Sequence, residues 1–231
     1  LYPGRIDLGL GRAPGTDGPT MRALRRNRVE TEEDFPRDVQ ELQRLLAPAQ
    51  AGQPIVAVPG AGTNVPIWLL GSSLFSAQLA AHLGLPYAFA SHFAPRMLHQ
   101  ALAIYRQTFK PSAALAKPYA IVGVPVIAAP TDAEAQFLAS STYQRVLDIL
   151  TGNRTRLQPP VEGFMEQVSE RERAAIADFL AVGIIGGPQT VRAGLQALAQ
   201  ATQADEFMLV SDVFDADLRL RSLQLTAQAM V

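Results

Sequence analysis

The sequence predicts an α/β protein with a parallel sheet covered by helices, and three observations carry that expectation. Short apolar runs recur at residues 5–11, 67–70, 87–90, Ala120–Ala128 and Glu206–Val210. Stretches with apolar residues at helical spacing lie between them. The runs are apolar throughout rather than alternating, as strands covered on both faces are. Pattern alone leaves an open doubly wound sheet and a barrel both available. Five strand–helix units are fewer than a closed (β/α)8 barrel needs.

Residues 5–11 (RIDLGLG) end in glycine and run into the turn-rich Ala13-Pro14-Gly15-Thr16-Asp17, so a buried strand is followed by a long loop. After the polar, arginine-rich residues 20–34, Val39, Leu42, Leu45 and Leu46 recur at a helix period. Residues 48–66, rich in proline and glycine, read as a connection with at most a small extended arm. Residues 67–70 (IWLL) are the second strand, closed by Gly71-Ser72-Ser73. The helix after it carries Leu79, Ala80 and Leu83 on one face, and Gly84 stops it. Residues 87–90 form the third strand, ending at Ser91-His92. Residues 95–109 are helical, with Leu98, Ala101, Leu102 and Tyr105 on one side.

Ala120–Ala128 is the fourth strand, and Thr131 with Glu134 is a capping-box pair opening a long helix that stops near Gly152. Residues 159–167 read as loop. Ser169 with Glu172 is a second capping box, and Ile176, Phe179 and Leu180 share the face of its helix. Gly187-Pro188 puts a proline in a first helical turn, and Val191, Leu195 and Leu198 follow at a helix period. Glu206–Val210 is the fifth strand and residues 218–230 the closing helix.

At 231 residues, 48% of them hydrophobic and 18% charged, the chain can bury a sizeable core, and one domain over residues 1–231 is expected. The net charge is −1 with Lys and Arg scattered, which leaves no electrostatic footprint for nucleic acid or an anionic membrane. There is no Cys, so disulfides and thiolate metal sites are excluded; the composition fits a reducing compartment, and a cytoplasmic location is the expectation. No apolar run approaches the roughly 20 residues of a spanning helix. The chain opens Leu1-Tyr2-Pro3 rather than on Met, and Leu1 is read as an internal cut point.

Three segments separate the two sheet architectures. Arg5-Ile6-Asp7-Leu8-Gly9-Leu10-Gly11-Arg12-Ala13-Pro14-Gly15-Thr16-Asp17 resembles the fourth strand and following loop of the bacterial-luciferase-like flavin monooxygenases. Ile67-Trp68-Leu69-Leu70-Gly71-Ser72-Ser73, continuing into Ser76, is similar to that family's fifth strand and phosphate-binding turn. Gly186-Gly187-Pro188-Gln189-Thr190-Val191 is similar to its Gly-x-Pro-Glu-x-Val stretch, with Gln189 in place of Glu. The resemblance implies a (β/α)8 TIM barrel of the luciferase type. By that mapping the runs seen here are expected to be strands four to eight, with the first three absent and the barrel N-terminally incomplete.

In such a barrel, ligands sit at the C-terminal ends of the strands. Ser72 and Ser73 lie at a strand end and open a helix, where unpaired N–H groups and the dipole suit a phosphate dianion. The same pair also fits a plain N-cap. The family holds its flavin phosphate this way, with Arg12, Ser72, Ser73 and Ser76 as the matching positions. His92, at the end of the third strand, is a candidate for catalysis or substrate contact; the bland reading is a loop histidine bonded to a carbonyl. His82 and His99 fall within helices and read as structural, and Trp68 as core. Asp7, inside an apolar strand, calls for a buried partner, while Thr16 and Asp17 suit turn hydrogen bonds that hold the loop after Arg12.

The histidines and carboxylates show no metal-ligand spacing, and no dinucleotide or P-loop fingerprint is present. The redox chemistry must then come from a bound cofactor. The resemblance implies reduced FMN delivered by a separate flavin reductase, with O2 as co-substrate and a small organic molecule as the group oxygenated. A homodimer is part of the same expectation. The family's catalytic histidine and the cis-peptide platform under its flavin come from the first three strands. Two alternatives stand beside this one: a deazaflavin (F420) dependent dehydrogenase on the same barrel, and a non-catalytic flavin-binding shortened barrel. If three strands are absent, residues 5–10 and Glu206–Val210 become sheet edges, which another part of the protein or another chain must cover.

Overall fold

The computed structural model describes residues 2, 4–12, 34–153 and 155–231. Among these, six strands alternate with eight α-helices: β1 (Leu8–Gly11), α1 (Phe35–Leu46), β2 (Ile67–Gly71), α2 (Leu74–Leu83), β3 (Tyr87–Phe89), α3 (Leu98–Thr108), β4 (Ala120–Ala128), α4 (Asp132–Thr151), α5 (Phe164–Gln167), α6 (Glu170–Phe179), β5 (Ile184–Gly186), α7 (Pro188–Thr202), β6 (Glu206–Val210) and α8 (Ala216–Ala229). The chain divides into two compact units, Leu1–Ala88 with Gln100–Ala120, and Phe89–His99 with Ile121–Val231.

In the first unit β1 lies parallel to β2, Leu8 opposite Ile67 and Gly11 opposite Leu70. The next step of the sheet is visible in the Leu69 N–H, which donates to the Pro86 carbonyl at 3.0 Å, just ahead of β3. Ile67 and Leu69 are buried, and the buried alanines 77, 80 and 81 let α2 lie close upon β2. The helix ends at Gly84, whose left-handed backbone lets its N–H reach the last carbonyls of the turn. Tyr105 of α3 is enclosed and spends its hydroxyl on the backbone, donating to the Leu85 carbonyl at 2.9 Å and accepting from the Tyr119 N–H at 3.1 Å.

β4 organises the second unit. Residues Ile121–Pro125 pair with β6 and Val126–Ala128 with β5, both parallel. Val122, Val124, Val126 and Ile127 are buried, which explains why this strand is apolar on both faces. Ile127, Leu138, Tyr143, Val146 and Ile176 form the centre of the core, with Phe179 and Leu180 packed against it. The caps hold the helices where the sequence placed them. Thr131 accepts the Glu134 N–H at 3.1 Å, and Ser169 and Glu172 make the full reciprocal box. Pro188 occupies the first turn of α7.

Four expectations are corrected. β1 begins at Leu8, and Asp7 is exposed ahead of it rather than paired in a core. With β2 its one strand partner among the described residues, this end of β1 stays wet, and solvent supplies what a buried partner would have. Ile184–Gly186 is a sixth strand; three residues are too few to read alone, but they pair along Val126–Ala128. Residues 159–167 contain a short helix, Phe164–Gln167. Trp68 is half-buried, edge-on to Tyr119 at 5.8 Å, rather than fully enclosed. The loop at Ala13 to Asp17 and the arginine-rich stretch after it lie largely outside the described residues.

Candidate functional site

In the first unit, β2 delivers the chain through Gly71 and Ser72 to Ser73, the N-cap of α2, with extended backbone (φ −125, ψ 163). The Ser73 side chain makes no capping bond to its own helix. The first-turn N–H groups and the positive end of the helix dipole therefore face outward without an internal acceptor from that residue. Arg12 follows β1 directly, and the register that sets Gly11 against Leu70 carries it level with Gly71. Its guanidinium carbon lies 4.4 Å from the centre of the Phe75 ring, on the first turn of α2. Arg12 thus reaches Phe75 on the first turn of the helix that Ser73 caps.

Ser76 sits one layer below. It is buried, its hydroxyl donates to the Ser73 carbonyl at 2.9 Å, and it lies 3.2 Å from the Tyr87 hydroxyl. A side chain at residue 71 would run into Ser76, so glycine there lets the helix close down on the strand end. Burial pushes the Tyr87 hydroxyl up to about 12, against the smaller opposing effect of its bond to Ser76, and it keeps its proton at any physiological pH. Tyr87 was not singled out in the sequence, because an aromatic at a strand start has no periodic mark that separates it from core. A cation, open N–H groups and hydroxyls around one turn form a donor set that fits a phosphate dianion.

His92 belongs to the second unit, just after β3. Its Nδ1, with Cε1 and Cγ, lies against the Cα of Gly123, where any side chain would strike the ring. Nδ1 is buried and has no hydrogen-bond partner among the described residues, while the Phe93 ring stands edge-on at 4.8 Å. The neighbouring Ser91 hydroxyl donates to the Gly123 carbonyl at 2.6 Å. Burial holds the imidazole below its ordinary pKa; Asp212 opposes this and Arg145 adds to it. Those two form an ion pair at 2.6 Å. Burial and Arg145 both favour the neutral imidazole, and the ring rests its Nδ1 side against β4. A shallow apolar hollow in the same unit is lined by Pro125, Ile127, Thr142, Leu180, Ile185 and Asp212 among others. His82 is exposed and bonded to Lys110 at 3.0 Å, and His99 is on the surface of α3.

Among the described residues no group of His, Asp or Glu stands where a metal could be held, and no helix is long and apolar enough to cross a membrane.

Parallel strands joined through helices, with a cationic side chain and a helix N-terminus meeting at strand ends, are features of α/β enzymes of the barrel type. The luciferase-like monooxygenase family matches residues 1–205. Uncharacterized protein YvbT of Bacillus subtilis (strain 168) is 51% identical over 228 residues, covering 98% of this chain and 68% of that protein. A luciferase-like monooxygenase of Escherichia coli (strain K12) is 48% identical over 225 residues, covering 97% of this chain and 67% of its own length. The structure of apo-MsnO8 superposes with a TM-score of 0.82 at 34% identity, over 99% of this chain and 69% of that one. Two more distant structures share the fold alone. They are the FMN complex of the oxygenating constituent of 3,6-diketocamphane monooxygenase from Pseudomonas putida (TM-score 0.57, 19% identity, 99% of this chain and 72% of that one) and an F420-dependent secondary alcohol dehydrogenase (0.59, 14%, 100% and 71%). The chain belongs to the luciferase-like monooxygenase family, and its fold is that family's α/β TIM-barrel type. The family makes it an oxidoreductase.

Proposed function

We propose that this chain binds the phosphate of reduced FMN at Arg12 and the Ser72–Ser73 turn, and serves the oxygenation of a small organic substrate by O2. The observation that carries this is the Arg12 guanidinium lying over Phe75, on the open first turn of α2. The N–H groups of that turn, the hydroxyls of Ser72, Ser73 and Ser76, and Arg12 would hold the phosphate. The reduced flavin, when bound, supplies the electrons that activate O2. His92 would offer a neutral imidazole to substrate through Nε2, as either donor or acceptor. Delivery of the flavin by a separate reductase, a homodimer and a cytoplasmic setting belong to the same reading.

The same turn would serve F420 equally, and the fold is shared with an F420-dependent enzyme. Titration of the chain with FMN and with F420, followed by NADH-driven O2 uptake in the presence of a flavin reductase, separates the readings. Preference for FMN and uptake above that of reductase and free flavin alone supports the monooxygenase. Preference for F420 moves the assignment to a dehydrogenase, and FMN binding without turnover to a flavin carrier. Failure to bind either overturns all three. Arg12→Ala should weaken FMN by about 1.5–3 kcal/mol, the worth of hydrogen bonds to a charged group, which is roughly ten- to hundredfold in Kd.

A further inference from the structure

We infer that Tyr87 is a positioning residue for the phosphate turn, acting through Ser76. The inference rests on the phosphate reading above. Three oxygens share two protons beneath the turn: Ser76 Oγ lies 2.9 Å from the Ser73 carbonyl, and the Tyr87 hydroxyl lies 3.2 Å from Ser76 Oγ and 3.4 Å from the same carbonyl. When the Ser76 proton points at the Ser73 carbonyl, that bond stays within the turn. When that proton is given to an anion on the turn, Ser76 Oγ has an accepting position to fill, and Tyr87 is the group placed to donate to it. The chain Tyr87 O–H to Ser76 O–H to phosphate then polarises in one direction, each bond strengthening the next.

Tyr87 is suited to that task because it is enclosed. It is fully buried, its ring packs on Tyr105 with centroids 5.3 Å apart, and burial keeps its proton in place. Ser76 is held from the other side by the bare Cα of Gly71. The Tyr87 hydroxyl lies within hydrogen-bond reach of two groups of the turn, Ser76 Oγ and the Ser73 carbonyl, and phenylalanine would offer neither contact.

Tyr87→Phe keeps the ring and removes only the hydroxyl. The test measures dissociation constants of the full chain for reduced FMN and for reduced riboflavin, which lacks the phosphate, under anaerobic conditions. Tyr87→Phe should weaken FMN about three- to tenfold, the worth of one hydrogen bond, and leave riboflavin unchanged. Ser76→Ala should show the same FMN-selective loss, and the double variant should be no weaker than Ser76→Ala alone. Unchanged FMN affinity, or equal weakening of both ligands, overturns the inference; Ser76→Ala decides it by the same criterion if Tyr87→Phe does not fold. Arg12→Ala is the control. If it fails to separate FMN from riboflavin, the phosphate reading falls and the relay with it. If it separates them and Tyr87→Phe does not, the relay alone falls.

Discussion

Replacing Gly123 by Ala tests the packing of His92 directly. Gly123 lies in the middle of β4, opposite Met208 of β6, and its backbone is one that alanine adopts without strain. The obstacle is steric: the new methyl would overlap the His92 Nδ1 and press on Cε1 and Cγ. Forcing an extra carbon into a packed site costs about 1–3 kcal/mol. Alanine recovers roughly 0.5–1 kcal/mol of that by restricting the unfolded chain. At the middle of both ranges the net expectation is a loss of about 1.25 kcal/mol, or roughly 2–5 °C in Tm for a chain of this size. Urea unfolding measures it as a lower midpoint at unchanged slope. If the imidazole is the cause, removing it removes the penalty, so Gly123→Ala on a His92→Ala background should be neutral to slightly stabilising. A Gly123→Ala variant as stable as the parent would refute the contact. A loss that persists without the imidazole would refute the mechanism.

Two pH-dependent outcomes follow from the same structure. The Gly187 N–H at 2.6 Å and then the Thr190 hydroxyl at 2.8 Å hold the Asp132 carboxyl below the usual carboxylate range. Its contribution is therefore complete above an ordinary Asp pKa of about 3.9 and is lost as pH falls through the depressed value; urea midpoints of Asp132→Asn should fall less steeply into acid than those of the parent, and identical acid limbs would remove this role. Burial lowers the His92 pKa, so the unfolded chain takes up a proton that the folded chain refuses, and stability declines as pH drops below about 6.5. His92→Gln should lack that part of the decline, and an NMR titration of His92 centred above 6.5 in the parent would contradict it.

Much of the fold was legible because each element announces itself locally. The boundary signals were chemical: Gly84 and Gly152 at helix ends, Thr131 and Ser169 at helix starts, Pro188 in a first turn. What escaped were features defined by partners. Ile184–Gly186 is a strand only because Val126–Ala128 offers it an edge. Asp7 looked buried because its neighbours in sequence are apolar, yet the strand starts after it. At the candidate site, strand ends alone left Ser72 and Ser73 open between a plain N-cap and a binding turn, and the family resemblance singled out Arg12, Ser72, Ser73 and Ser76. The inward turn of Ser76 and its bond to Tyr87 join residues eleven apart in sequence through a buried contact, and no spacing rule encodes that.

Both constellations use one device. At Gly71 and at Gly123 a strand gives up its side chain, and a polar side chain from another segment rests on the bare Cα: Ser76 in one unit, His92 in the other. Read along the sequence, Gly71 closes an apolar run and Gly123 interrupts one. In the structure, each lets a hydroxyl or an imidazole lie against a strand backbone, at the strand's end for Gly71 and in its middle for Gly123. The strands then supply rigidity that a loop could not, since their paired backbones fix the Cα on which the polar group rests. This explains why the glycines of β2 and β4 sit in strands that otherwise favour β-branched residues. It also means that their substitution should be felt first in the polar side chain above them and only second in the sheet.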